Sequence, residues 1–400
     1  MTNILKKIIN LQFLVLAALG LSAPAQAQET SAAVFLLAAP RSGPLAELGL
    51  KARQGAELAL QTWGGGFRLE ILDENRPGAL DEIDLGNVAL VLGYFTESRF
   101  AADAPRYLYL RKPVLLPYLT NEEAAGRGPG LFFRLMPTAR EQGRHLGLEI
   151  LNLRRRPGRL LLITGAEPAQ AALVEALTET LAQPNRPLSA ISGGQEEGAD
   201  RTAPENTRAP AARPATNIKP LDPKAQVVTL SLDQALEPEG LAKFGRNRPD
   251  LAILALDRAE ALRLAPHLAE NGYDQVPLWG VTALGFRDVG AAFNSQKLNL
   301  RLCLPAVNLA DQANPAVRDF TRQFVDAYKA HPTWISALAF DSLNLAIKAA
   351  SSGEDTQGLV DYLAGHSHHS LATYDLSPEG GGPAPLALMP VRPADLGFLP

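Results

Sequence analysis

The feature that most limits what this chain can become is an alternation. Short apolar runs are followed again and again by longer amphipathic stretches. AAVFLLAAP (32–40), FRLEILDE (67–74), VALVLGYF (88–95) and PVLLPYL (113–119) have the length and composition of buried strands. GPLAELGLKARQGAELALQTW (43–63) repeats its apolar residues with the period of a helix. Strands that alternate with helices predict parallel sheets covered by helices on both faces.

The pattern then restarts. A helix over 138–153, a strand over 158–165 and a helix over 169–182 lead into strands at 225–233, 250–257 and 277–284, with a helix at 263–274. Two lobes follow, and the boundaries expected are 28–136 for the first part of lobe one and 137–304 for lobe two. Residues 305–355, with amphipathic helices at 314–330 and 336–350, return to lobe one. Residues 356–400 are placed at the end of lobe two, where 372–392 reads as two short strands around a glycine turn. Within lobe two, residues 183–224 hold few large apolar residues and many prolines. Such a segment buries too little surface to offset its ordering entropy, so a disordered insertion is expected there.

The first 27 residues read as a secretory signal. Lys6 and Lys7 precede the apolar run LQFLVLAALGLSA, and small residues follow at Ala25 and Ala27. The run is shorter than the roughly 20 residues that span a bilayer, so no membrane insertion is expected after cleavage near Ala27. The chain carries a net charge of −4, and the leader removes two lysines and no carboxylate. That balance excludes the basic surface of a nucleic-acid binder. NLRRRP (152–157) is one small basic cluster, read as a solvated helix end. Cys303 is the single cysteine, which rules out an intrachain disulfide. A periplasmic protein is expected.

SGPLAELGLKARQGAELAL, VLGYFTES, KPVLLPYLT, FRLMPTAREQGRHLG and SALAFDSLNLAIKA, in that order, resemble the leucine/isoleucine/valine-type periplasmic binding proteins of ABC importers. The likeness runs from about Ala32 to Phe398, interrupted by the insertion. It implies the type I periplasmic binding protein fold: α/β, two doubly wound parallel-sheet lobes joined by three crossovers, with a ligand enclosed between them. It also implies a membrane permease as partner, a small-molecule ligand (an amino acid, amide or carboxylate), no cofactor and a monomer.

The expected ligand contacts combine that likeness with residue chemistry. Ser42 and Gly43 stand before Pro44, where a hydroxyl and an unhindered backbone meet a helix start. Ser42 as a plain helix cap is the competing role. Gly93, Tyr94, Thr96 and Ser98 form a glycine-hydroxyl loop, and Leu119 and Thr120 end the next strand. By resemblance, Ser98, Leu119 and Thr120 hold a ligand carboxylate. The family's ammonium-binding aromatic falls near Ala169, its acid near Thr282, and another aromatic on Asp257. Glu167 and Asp257 are the acids that would replace the missing counter-charge.

Enzymatic signatures are absent: no G-x-S-x-G, Walker loop or H-E-x-x-H occurs. His366, His368 and His369 cluster in GHSHHS, yet no cysteine or nearby carboxylate completes a metal shell, so no metal is expected. Asp341, next to Phe340 on an apolar helix, is expected to make a structural hydrogen bond. The competing function is a non-transport envelope protein that uses the same fold as a protein-interaction module, as penicillin-binding-protein activators do.

Overall fold

A computed structural model describes residues 33–121, 128, 130–185, 218–245, 247–305, 309, 314–352, 355–365, 367–376 and 386–391. The expected signal segment, most of the expected insertion and His366 lie outside the described residues. None of the described helices is long and apolar enough to cross a membrane.

The first sheet contains β1 (Ala33–Ala39), β2 (Phe67–Asp73), β3 (Val88–Gly93), β4 (Val114–Leu116) and β5 (Phe132–Arg134), in the order β2-β1-β3-β4-β5. All its pairs are parallel. Helices α1 (Ala46–Trp63) and α2 (Glu97–Tyr109) belong to this lobe. Parallel strands are covered on both faces, which is why β1 and β3 read as unbroken apolar runs and are buried along almost their whole length.

The chain leaves this lobe at Leu135–Thr138 and enters α3 (Ala139–Asn152) through a reciprocal cap. The Thr138 hydroxyl accepts from the Glu141 N–H at 3.0 Å, and the Glu141 carboxylate accepts from the Thr138 N–H at 2.7 Å. Then follow β6 (Arg159–Thr164), α4 (Pro168–Ala182), β7 (Gln226–Ser231), the short α5 (Leu232–Leu236), β8 (Leu251–Ala255), α6 (Arg258–Glu270), β9 (Leu278–Gly280), α7 (Arg287–Ser295) and β10 (Leu300–Pro305). Five of these strands form a parallel sheet. On its edge, β13 (Leu386–Pro390) runs antiparallel to β10.

Helices α8 (Pro315–Tyr328) and α9 (Trp334–Ser352) follow β10, and α9 lies against α1 in the first lobe. Gly55 permits this approach, since a Cβ there would sit 2.0 Å from the Ser336 carbonyl oxygen. Then come α10 (Thr356–Gly365), β11 (Ser367–His369) and β12 (Thr373–Asp375). The two strands expected around the glycine turn do not pair with each other: β12 pairs with β11, and β13 with β10.

The β11–β12 turn is tied to α9 and so to the first lobe, whereas the sequence joins this stretch to the second. Asp341, wholly buried, accepts from the N–H groups of Leu371 and Ala372 and from the Tyr374 hydroxyl at 3.0, 3.2 and 2.6 Å. Burial pushes this carboxyl up to about 6, against the hydrogen bonds that favour its charged form.

Candidate functional site: a cleft between two unlike walls

Each sheet reverses its strand order once, between β1 and β3 in the first lobe and between β6 and β8 in the second. Crevices at the carboxyl ends of such strand pairs are where open α/β sheets bind ligands. A cleft of about 690 Å³ lies there, with walls from both lobes. Its size is that of a small-molecule site.

The first lobe contributes Leu45 and Leu48 from the start of α1, Phe95, Tyr118, Thr120 and Met136. Phe95 and Tyr118 stack with ring centroids 4.0 Å apart and 21° between planes. Tyr118 donates its hydroxyl to the Ile335 carbonyl at 3.1 Å, so this ring is fixed to α9. Phe95 is held from behind by Glu74, only 4% exposed, whose carboxylate accepts from the Phe95 N–H at 2.8 Å and the Thr96 hydroxyl at 2.9 Å. Burial pushes the Glu74 carboxyl up to about 6, opposed by those two bonds and by Arg99 and reinforced by neighbouring Asp73.

The second lobe contributes Asp257, Arg258, Leu262, Thr282, Phe286 and Asp288. Arg258 grips Asp288 through Nη2 at 2.6 Å and Nε at 2.9 Å, and its guanidinium carbon lies 5.1 Å from the centre of the Phe286 ring. That aromatic support and the fork geometry orient an otherwise flexible cation. Trp334 and Ile335 at the start of α9 complete the cleft, and the Trp334 indole donates to the Gly285 carbonyl of lobe two at 3.0 Å. An adjoining space of about 410 Å³ is lined by Glu97, Asn121, Arg140 and Glu167, and Thr120 borders both.

Of the residues expected at a site, Thr120, Asp257 and Thr282 line the main cleft and Glu167 lines the adjoining space. Two of these are engaged locally. Asp257 caps α6 by accepting from the Glu260 N–H at 2.8 Å, and Thr282 donates to the Cys303 carbonyl at 2.7 Å. Glu167 stands just before α4, where its N–H donates to the Gln170 side chain at 2.9 Å.

The others stand apart from the lining. Ser42 donates to Asp73 at 3.1 Å in an exposed loop, beside Gly43 with φ 75°. Gly93, with φ 122°, lets β3 pass β1, because a Cβ there would lie 2.0 Å from the Ala38 carbonyl oxygen. Tyr94 points into lobe one and bonds Asp103 and Tyr107 at 2.7 and 2.6 Å. Thr96 is committed to Glu74, Ser98 is an exposed residue of α2, and Leu119 is buried in the lobe-one core. His368 is buried with Nε2 3.0 Å from the Leu363 carbonyl oxygen. Among the described residues, no three His, Cys, Asp or Glu side chains gather as a metal shell.

Phe95, Tyr118, Arg258, Phe286, Asp288 and Trp334 are cleft residues that the sequence did not single out. A signal for Tyr118 was present. In extended chain, alternate side chains share a side, so 118 and 120 belong together and 119 opposite.

No protein-family profile matches the chain, and no curated protein matches it either. Solved structures do. A branched-chain amino acid ABC transporter protein from Rhodospirillum rubrum, described as putative, superposes with a TM-score of 0.65 at 18% identity, covering 91% of this chain and 98% of that one. A solute-binding protein of an ABC transporter from R. palustris, in complex with benzoate, gives 0.62 at 18% identity over 91% and 94%. A branched-chain amino acid transporter substrate-binding protein from Streptococcus pneumoniae, in complex with isoleucine, gives 0.61 at 16% identity over 90% and 99%. The chain has the fold of these proteins: α/β, with two doubly wound lobes.

Proposed function

We propose that this chain is a solute-binding receptor of an ABC importer, exported to the periplasm by its leader, which closes its lobes on a small ligand and presents it to a membrane permease. The observation that carries the reading is the cleft itself, built at the carboxyl ends of the switch-point strands with wall residues from both lobes. Contacts to both walls favour the closed arrangement, so ligand binding shifts the lobe equilibrium. Binding requires no catalytic group, and the reading is of a monomer without cofactor.

The lining narrows the ligand class. Leu45, Leu48, Phe95, Tyr118, Leu262, Phe286 and Trp334 suit an apolar body. Asp288 is held by Arg258 and Asp257 caps a helix, so a ligand ammonium meets no uncommitted acid on that wall. An isolated ammonium buried there would be costly. A carboxylate or amide on an aromatic or branched aliphatic body fits better, with Thr120 and Arg258 near its head. The first test is a thermal-shift screen of residues 28–400 against amino acids, amides, and aromatic and aliphatic carboxylates. A ligand at 100 times its Kd raises stability by about 2.7 kcal/mol. A carboxylate or amide hit that Phe95→Ala removes supports the reading, and silence across the panel favours the protein-interaction module.

A further inference from the structure

The basic cluster at 152–157 is not only a helix end. It borders a separate cavity of about 400 Å³ lined by Arg155, Arg156, Asp250, Trp279, Asn299 and Arg301 among others. This cavity lies at the opposite pole of the second lobe from the cleft. Strands β6, β8, β9 and β10 begin beside it, at Arg159, Leu251, Leu278 and Leu300, whereas the cleft residues Asp257 and Thr282 follow strand ends.

We propose that this cavity is a second binding site, for a small multiply charged anion bearing phosphate or carboxylate groups. Three guanidinium groups border one space, and their charge is poorly compensated. Arg156 donates to the carbonyl oxygens of Leu151, Lys219 and Pro220 at 2.9, 3.0 and 3.0 Å, all of them neutral acceptors. Arg155 and Arg301 are exposed, and among the described residues neither meets a carboxylate. The one acid in the lining, Asp250, turns to the backbone and accepts from the Gly158 and Arg159 N–H groups at 2.8 and 2.9 Å.

The wall is otherwise firm and partly apolar. Trp279 is 3% exposed and stands in register with Arg301 on the neighbouring strand, so the two side chains share a face of the sheet. Guanidinium forks pair two-pronged with carboxylate and phosphate oxygens, and Asn299 adds a donor. Arg156 is positioned by its three carbonyl contacts, while Arg155 and Arg301 have donors to spare.

The test is a fluorescence titration of residues 28–400 with pyrophosphate and, separately, citrate at constant ionic strength, reading tryptophan emission. Saturable quenching by either probe, lost in Trp279→Phe, is expected. Arg155→Ser with Arg301→Ser should weaken that binding at least about tenfold, since a charged hydrogen bond contributes about 1.5–3 kcal/mol, with an unchanged melting temperature. Arg156 is left intact because it holds the chain. A response to pyrophosphate alone identifies phosphate as the recognised group, and to citrate alone carboxylate. No saturable binding of either probe overturns the proposal. So does binding that survives the arginine changes, or that Phe95→Ala in the cleft abolishes.

Discussion

The two walls of the cleft are built from different chemistry. The lobe-one wall is a stacked pair of rings with aliphatic neighbours, and its one buried carboxylate, Glu74, sits behind the surface holding the loop. The lobe-two wall places its charges at the front, where Asp257 stands before α6 and Arg258 opens it. On the proposed reading lobe one meets mainly the body of a ligand and lobe two mainly its head, with Thr120 the polar exception on lobe one and Leu262 and Phe286 the apolar ones on lobe two. The Arg258–Asp288 pair is half exposed and adds little stability, as such pairs do. Its place in the cleft fits the role proposed for Arg258 beside a ligand head group.

The lobe-one wall depends most on Phe95. Phe95→Ala removes one ring of the stack and should weaken binding of an apolar-bodied ligand by about 2–3 kcal/mol, on the scale of an aromatic anchor, measured by calorimetry. An equal loss for a small hydrophilic ligand would deny the lobe-one wall its special role.

On the other wall, Arg258→Met and Asp288→Asn should act in opposite directions. Against an anionic head group the first weakens binding by about 1.5–3 kcal/mol, while the second releases the guanidinium and tightens it. If both weaken binding equally, the pair serves as one structural unit.

Glu74 gives a smaller effect with a definite sign. Its carboxyl rises from an ordinary 4.5 to about 6 in the folded protein, so the native state holds the proton more tightly than the unfolded chain does. Stability therefore falls as pH rises from about 4.5 to 6, by about 2 kcal/mol from this group, and is level above it. Asp341 adds a fall of the same sign between 3.8 and about 6. Glu74→Gln should flatten the first share and leave the second, as urea unfolding at several pH values will measure. Smallest is Thr120→Val, expected to cost about 1 kcal/mol of binding for one neutral hydrogen bond to an amide head group and little stability.

The lobes were legible where strands are buried on both faces, because β1, β3, β6 and β8 write their burial as continuous apolar runs. β13 was legible as a strand but its pairing was not, since its antiparallel place beside β10 depends on a partner some 80 residues earlier. The site was legible only in part for the same reason. Thr120, Asp257 and Thr282 follow strand ends that the alternation locates. Phe286 and Trp334 enter the cleft only because two lobes face each other, which no local pattern encodes. Ser98 and Tyr94 carry suitable chemistry but lie outside the lining, and Tyr94 turns into lobe one with a φ of 64° that residue type does not announce.

The proposed receptor works by closing its two walls on a ligand. Small-angle scattering of residues 28–400, with and without the carboxylate or amide found by the thermal screen, tests it most directly. Binding is expected to reduce the radius of gyration, an effect abolished by Phe95→Ala at the same ligand concentration. A ligand that stabilises the protein while the radius stays unchanged would contradict closure.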